Sequence, residues 1–286
     1  MIPNNNFSVL PWYRSKADQN AQRWWIYGRV YPLFTPAGFM PTWQFMIPSQ
    51  DYGGFLSLAL FNANTDAQIL SIPRVDFGQY GILQKTIGDY VVLYYSAILP
   101  ILNSQDNGRY YLRLNHDGDY YYSDVFTVVN DIQPYLKLEW WDDQDFVMDA
   151  GAIAYDGTFK NALYLDSDIA KPEYVFEEEG ETRDGYFYPV KMISEKRYRF
   201  NFLAPEYLLD VLRFVRMADH IQITKNGQVY SLDTFLITPE WEANGDVAVV
   251  AAEFETATVA KKIGLGYVRA LRGDFNDDFN DDFNNQ

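Results

Sequence analysis

Arg109-Tyr110-Tyr111-Leu112-Arg113-Leu114-Asn115-His116-Asp117-Gly118-Asp119-Tyr120-Tyr121-Tyr122-Ser123 is the stretch that decides the fold class. Two runs rich in aromatic residues flank Asp117-Gly118. An Asp-Gly pair tolerates positive φ and favours the primed turns that match strand twist. The stretch therefore reads as a hairpin, with strands at Arg109 to Leu114 and Asp119 to Val129. Strand side chains alternate between faces, so Tyr120, Tyr121 and Tyr122 must turn at least one ring outward.

The same chemistry recurs along the chain. Asn107-Gly108, Asp156-Gly157, Asp184-Gly185, Asn226-Gly227 and Asn244-Gly245 are further pairs of this kind. Trp24 to Phe34, Thr42 to Ile47, Phe55 to Phe61, Ile69 to Val75 and Asp89 to Leu99 carry the aromatic and β-branched load of strands. With the hairpin they make about seven strands by residue 130, a spacing that resembles an immunoglobulin-like β-sandwich. Paired inward aromatics are expected to fill its core.

Asn130 to Pro134 reads as a linker. A second β-rich domain follows, from 135 to 268. His220 to Thr224 and Gln228 to Leu232 flank Asn226-Gly227 as another hairpin, and Asp246 to Thr258 reads as a strand. One helix is expected at about 205–217. Pro205 suits its first position, Glu206 favours its positive end, and Arg213 and Arg216 suit its C-terminal end. Leu208, Val211, Leu212, Val215 and Met217 form an apolar stripe at helical spacing. The fold class is thus mainly β: a sandwich at 23–130 behind an N-terminal arm at 1–22, then a β-rich domain with one helix, then an acidic tail at 269–286.

The 286 residues carry a formal charge of -16. That charge is uneven. Residues 142–184 hold 13 acids against 3 bases, and the last fourteen hold 5 acids and no base. The remainder is close to neutral. Such a balance argues against nucleic-acid binding, which needs a basic stripe. Hydrophobic content of 48% excludes wholesale disorder, and the absence of Cys excludes disulfides and a thiol nucleophile. No targeting or membrane segment is visible. The longest apolar run, Val91 to Leu102, is broken by Ser96 and Pro100 and falls short of the ~20 residues a spanning helix needs.

Catalytic and metal chemistry find little support. His116 and His220 are the only histidines, and neither has a nucleophile-elbow context. Asp142, Asp143, Asp145 and Asp149 are close in sequence, but without the spacing of a calcium loop. Gly264-Leu265-Gly266 lacks the last glycine and the helix of a dinucleotide fingerprint. Glycoside hydrolysis needs two selected carboxylates, and no motif selects them. Sugar stacking on Trp24, Trp25, Trp140 or Trp141 is the alternative, a carbohydrate-binding adhesin or receptor-binding module. The plain reading of each pair is one core and one rim residue. No catalytic, cofactor or metal site is expected.

Two regions are candidates for interaction. The acids Glu177, Glu178, Glu179 and Glu181 face a basic cluster, Lys191, Lys196, Arg197 and Arg199, either as cross-strand pairs within the chain or on a neighbour. The tail repeats Asp-Phe-Asn three times, placing Phe275, Phe279 and Phe283 at a four-residue period. Asn and Asp are poor helix formers, so the repeat suits a docking peptide or a solubilising tail.

Several segments resemble a known group. They are Pro134 to Trp140, Phe159 to Asp166, Lys171 to Tyr174, Glu177 to Glu181, Ser194 to Phe200 and Ala204 to Asp210. They are similar to structural proteins of tailed bacteriophages of gut Bacteroidetes, crAss-like phages included, over roughly Tyr110 to Val268. The resemblance implies a virion protein of the tail, neck or ring region, made in the host cytoplasm and non-enzymatic. It implies a homo-oligomer, in the form of a ring, that pairs with itself through β edges and docks on other virion proteins. It carries over no catalytic residue.

Overall fold

The computed structural model describes residues 2–3, 8–21, 25–26, 29–96, 107–144, 146–147, 154–155, 159–183, 185–232, 234–241 and 247–262. The fold is mainly β, with few helices, as the turn chemistry predicts. Among the described residues, nine longer strands precede residue 130: β1 (Leu33–Pro36), β2 (Trp43–Pro48), β3 (Leu56–Asn62), β4 (Gln68–Pro73), β5 (Ile82–Ile87), β6 (Tyr90–Tyr95), β7 (Gly108–His116), β8 (Asp119–Ser123) and β9 (Phe126–Val129). Eight follow: β10 (Leu136–Trp141), β11 (Asn161–Leu165), β12 (Glu173–Arg183), β13 (Tyr186–Pro205), β14 (His220–Lys225), β15 (Gln228–Ser231), β16 (Thr234–Trp241) and β17 (Val247–Lys262). Short helices span α1 (Lys16–Ala21) and α2 (Glu206–Leu212).

The turns set the registers. His116 pairs with Asp119 across Asp117-Gly118, and Lys225 with Gln228 across Asn226-Gly227. All four turn residues have positive φ, from 51° at Asn226 to 92° at Gly118. That is the requirement of a two-residue type I′ turn. Asp117 also ties the turn to a neighbouring strand entry: its carboxylate accepts the Phe55 N–H at 2.6 Å, and its own N–H donates to the Phe55 carbonyl at 2.9 Å.

Two sheets face one another in the first part. One runs Ile2–Pro3, β2, β6, β5. The other contains β8, β7 and β9, with β3 and β4 beside β7. Aromatic rings from the facing sheets interlock, as expected of a sandwich core. Phe45 meets Tyr121 edge-on at 5.6 Å, and Trp12 packs on Phe45 at 4.7 Å and on Trp43 at 5.5 Å. Such edge-on pairs stabilise beyond their buried area. Tyr120 points outward and Tyr121 inward, as the alternation requires.

Three features depart from local expectation. Trp12 and its neighbours Val9 and Leu10 are core residues, so this part of the N-terminal arm is packed. The long run Trp24 to Phe34 is not one strand. It divides into Trp25–Ile26, Arg29–Val30 and β1. Strand β2 is buried on both faces, because Phe159 closes the side away from the main core beside Met46, Val92 and Tyr94. The alternation that marks a half-exposed strand is therefore absent there.

The larger sheet continues past residues 130–134. Its order is Trp12–Tyr13, β8, β7, β9, β1, β11, β10, β14, β15. Strand β9 lies parallel to β1, which touches β11 at Phe34 and Tyr164. One apolar cluster holds Trp43, Phe45 and Leu93 together with Leu138, Trp140, Phe200 and Phe254. The predicted helix is shorter than 205–217. Pro205 has ψ of 162° and closes β13, so it caps rather than opens the helix. Leu208, Val211, Leu212 and Val215 are buried as the stripe predicts, whereas Met217 is exposed.

Candidate interaction surface

A separate four-stranded sheet, ordered β12, β13, β17, β16, carries every described candidate residue. Its spine is β13, twenty residues long. At roughly 3.3 Å per residue it extends up to about 65 Å. A compact chain of this length is only about 50 Å across. One end of β13 must therefore run beyond the core, and burial shows which. No residue from Tyr186 to Arg199 is buried, whereas Phe200, Phe202 and Ala204 are. In β12, Tyr174 is 61% and Phe176 72% exposed.

The root of this ribbon is fixed by rings and charge. Tyr198 stacks on Phe254 at 5.1 Å, and Phe200 meets the same ring edge-on at 6.1 Å. The opposite face carries a ladder of five charged residues. Arg199 donates to Glu173 at 3.1 Å and to Glu253 at 2.8 Å. Arg197 lies 3.1 Å from Glu253 and donates to Glu255 at 2.9 and 2.7 Å. Thr234 adds a hydroxyl bond to Glu255 at 3.1 Å. The ladder crosses all four strands. The Glu255 hydrogen bond is the largest influence holding Arg197 above the ordinary guanidinium range.

The acidic and basic candidates meet in part. Lys191 sits opposite Glu179 and bonds it at 3.3 Å. Lys196 sits opposite Tyr174, its Nζ 5.7 Å from the ring centre. Arg197 and Arg199 pair instead with Glu173, Glu253 and Glu255. The last two are far along the sequence, and only the β13–β17 register brings them near. Glu177, Glu178, Glu179 and Glu181 lie exposed on β12, which is an edge of its sheet. Phe275, Phe279 and Phe283 lie outside the described residues.

Gly180 has a specific role in the ribbon. A β-bulge falls between Glu179 and Gly180. A Cβ on Gly180 would lie 2.3 Å from the Tyr188 carbonyl oxygen and 2.7 Å from the Phe187 ring. Only glycine lets that ring and strand come so close.

The remaining candidates have local partners. His116 Nε2 lies 3.1 Å from the Asp51 carbonyl. His220 stacks on Trp141 at 5.1 Å and contacts Asp143 at 2.8 Å. Lys160 sits 3.9 Å from the centre of the Trp141 ring, and Trp140 is buried, giving one core and one rim residue. Trp24 and the Trp25 side chain lie outside what is described. Asp142 accepts the Asp219 N–H at 3.1 Å, and burial raises its carboxyl above the usual range. Among the described residues, no group of three or more His, Asp or Glu is placed to hold a metal ion. No described helix is long and apolar enough to cross a membrane.

The chain matches no protein-family model and no curated protein.

Proposed function

We propose that the protein is an oligomeric structural component of a bacteriophage virion, in its tail or neck assembly, acting through protein–protein contacts. The single observation that carries this reading is the ribbon of β12 and β13, which leaves the core with Tyr174, Phe176, Tyr186 and Phe187 uncovered. Aromatic groups clustered on an exposed projection mark an interaction site. An assembly subunit uses such a projection to reach a neighbour, and the charged ladder keeps its root rigid.

The resemblance of the segments between Tyr110 and Val268 to phage structural proteins supplies the setting. It supports a subunit that is made in the host cell and ends in the particle. The ribbon supports contact with further copies and with other virion proteins. No chemistry on a substrate is part of this role.

Mass spectrometry and imaging of purified particles test it. The chain should be present in stoichiometric amount, with its ribbon packed against a neighbouring subunit. A chain absent from particles that binds glycans would replace this reading with the adhesin.

A further inference from the structure

We infer that copies of this chain join head to tail, the acidic β12 edge of one copy adding as a parallel strand to the β17 edge of the next. Both edges are open to a further strand. Among the described residues, β12 pairs with β13 alone, and β16 pairs with β17 only from Ala248 to Glu255. Beyond Glu255, β17 pairs on one side only, with β13, as far as Lys262. A strand edge of this kind is a template for pairing with another chain.

The two edges carry opposite charge. Glu177 to Glu181 holds four acids and no base, whereas Thr256-Ala257-Thr258-Val259-Ala260-Lys261-Lys262 holds two bases and no acid. The registers set four rows across the ribbon. Phe176, Ser194 and Val259 form one, and Glu177, Ile193 and Ala260 the next. Glu178, Met192 and Lys261 form the third, and Glu179, Lys191 and Lys262 the fourth. The bulges fall outside these rows, so the rows run unbroken. A next copy set at the same level continues each of them. Its Glu178 then stands beside Lys261, its Glu179 beside Lys262 and its Phe176 beside Val259. Within one chain the register neighbour of Lys262 is another base, Lys191, which bonds Glu179 at 3.3 Å. The incoming Glu179 places an acid on the other side of Lys262.

Other arrangements match less well. A slip of one residue would set the two copies' side chains on opposite faces. A slip of two leaves only Lys262 beside an acid, either Glu181 or Glu177. Pairing β12 with its own copy would set the Glu177 to Glu181 stretch against itself, and like charges directly opposite are destabilising. Pairing β17 with its own copy brings no acid to Lys261 or Lys262. Antiparallel addition of β12 to β17 would turn the ribbon over and put successive cores on opposite sides. Parallel addition keeps them on one side, so the same contact repeats. Such a heterologous contact gives a ring when the rotation closes and a filament when it does not. Because it names the self-contact of the proposed assembly subunit, this inference rests on that reading for its biological use.

The chain has no cysteine, which allows a direct test by cross-linking. Phe176 and Val259 of one copy lie two strands apart, about 9–10 Å, beyond the reach of a disulfide. The full chain carrying Phe176→Cys and Val259→Cys, oxidised with copper phenanthroline, should give a ladder of multimers on a non-reducing gel. Glu177→Cys with Ala260→Cys, in the next row, is a second pair, and circular dichroism checks that each variant folds. Either cysteine alone should stay monomeric. Adding Glu178→Lys to a double-cysteine chain should cut the multimer yield by about fivefold, and Lys261→Glu beside it should recover most of the loss. Monomer alone from both pairs, dimers from a single-cysteine variant, or a charge reversal without effect overturns the inference. Failure to cross-link in a chain found in purified particles removes this contact and leaves the virion reading standing. A ladder from a chain absent from particles does the reverse.

Discussion

Arg197 donates from both Nε and Nη2 to one oxygen of Glu255, at 2.9 and 2.7 Å. The two residues are directly opposite on β13 and β17, and both side chains are more than two-thirds covered. Partial burial makes this pair stronger than a free surface ion pair, while Glu253 and Thr234 fix its geometry. Arg197→Ala should lower stability by about 1–2 kcal/mol. A double-mutant cycle with Glu255→Ala should give a coupling of roughly 0.5–1.5 kcal/mol. Urea titration of the four proteins measures it, and additive effects would show the pair to be uncoupled.

Phe254 should matter more than any residue of the ribbon. Its ring is fully buried, stacked on Tyr198 and edge-on to Phe200 and Tyr230. Phe254→Ala should cost about 3–5 kcal/mol through lost burial and the cavity left behind. Phe176→Ala, at a 72% exposed site, should change monomer stability by less than about 0.5 kcal/mol. Equal losses at the two sites would contradict the division between core and projecting ribbon.

Turn geometry gives a sharper contrast. Gly118 and Gly227 sit at φ of 92° and 76°, where an L side chain is strained. Alanine at either should cost about 1–2 kcal/mol. Gly78 has open space around it and no positive φ, so Gly78→Ala should be close to neutral. Thermal melts of the three variants rank them, and a Gly78→Ala loss as large as the others would sink the turn argument.

High pH should unfold the protein through its tyrosines. Burial raises Tyr31, Tyr95, Tyr164 and Tyr207, and pushes Tyr111 up to about 12. In the unfolded chain each titrates near 10. The folded state then holds protons that the unfolded state releases. The stabilising contribution is complete below about pH 10 and is lost as pH rises through the folded values. Phenolate absorbance should show a cooperative rise above pH 10 that coincides with loss of circular dichroism. A single smooth titration without unfolding would contradict it.

Much of the fold was legible because the turns are local. Asp117-Gly118 and Asn226-Gly227 fix their hairpins from two residues each, and strands β2, β3, β4 and β6 stand close to where aromatic and β-branched runs place them. The helical stripe at Leu208, Val211, Leu212 and Val215 was equally readable. Trp12 was missed because a two-residue strand has no periodicity to detect. Strand β5 was missed because Lys85 and Gln84 dilute its pattern. The candidate surface was half legible. Opposite charges at Glu179 and Lys191 are close in sequence, whereas Glu253 and Glu255 lie more than fifty residues from their arginines and carry no local signal.

The sequence by itself determined the β class, the hairpin turns and the placement of charge in 142–184 and the tail, because each follows from residue type and near neighbours. Only the tertiary structure decided where the core ends along β13. A strand pattern reads the same at Met192 and Ser194 as at Phe200 and Phe202, since alternation records which side a residue faces and not whether anything covers it. Coverage depends on core residues such as Leu138, Trp140 and Phe235 arriving from distant parts of the chain, and where they stop the same face becomes a surface.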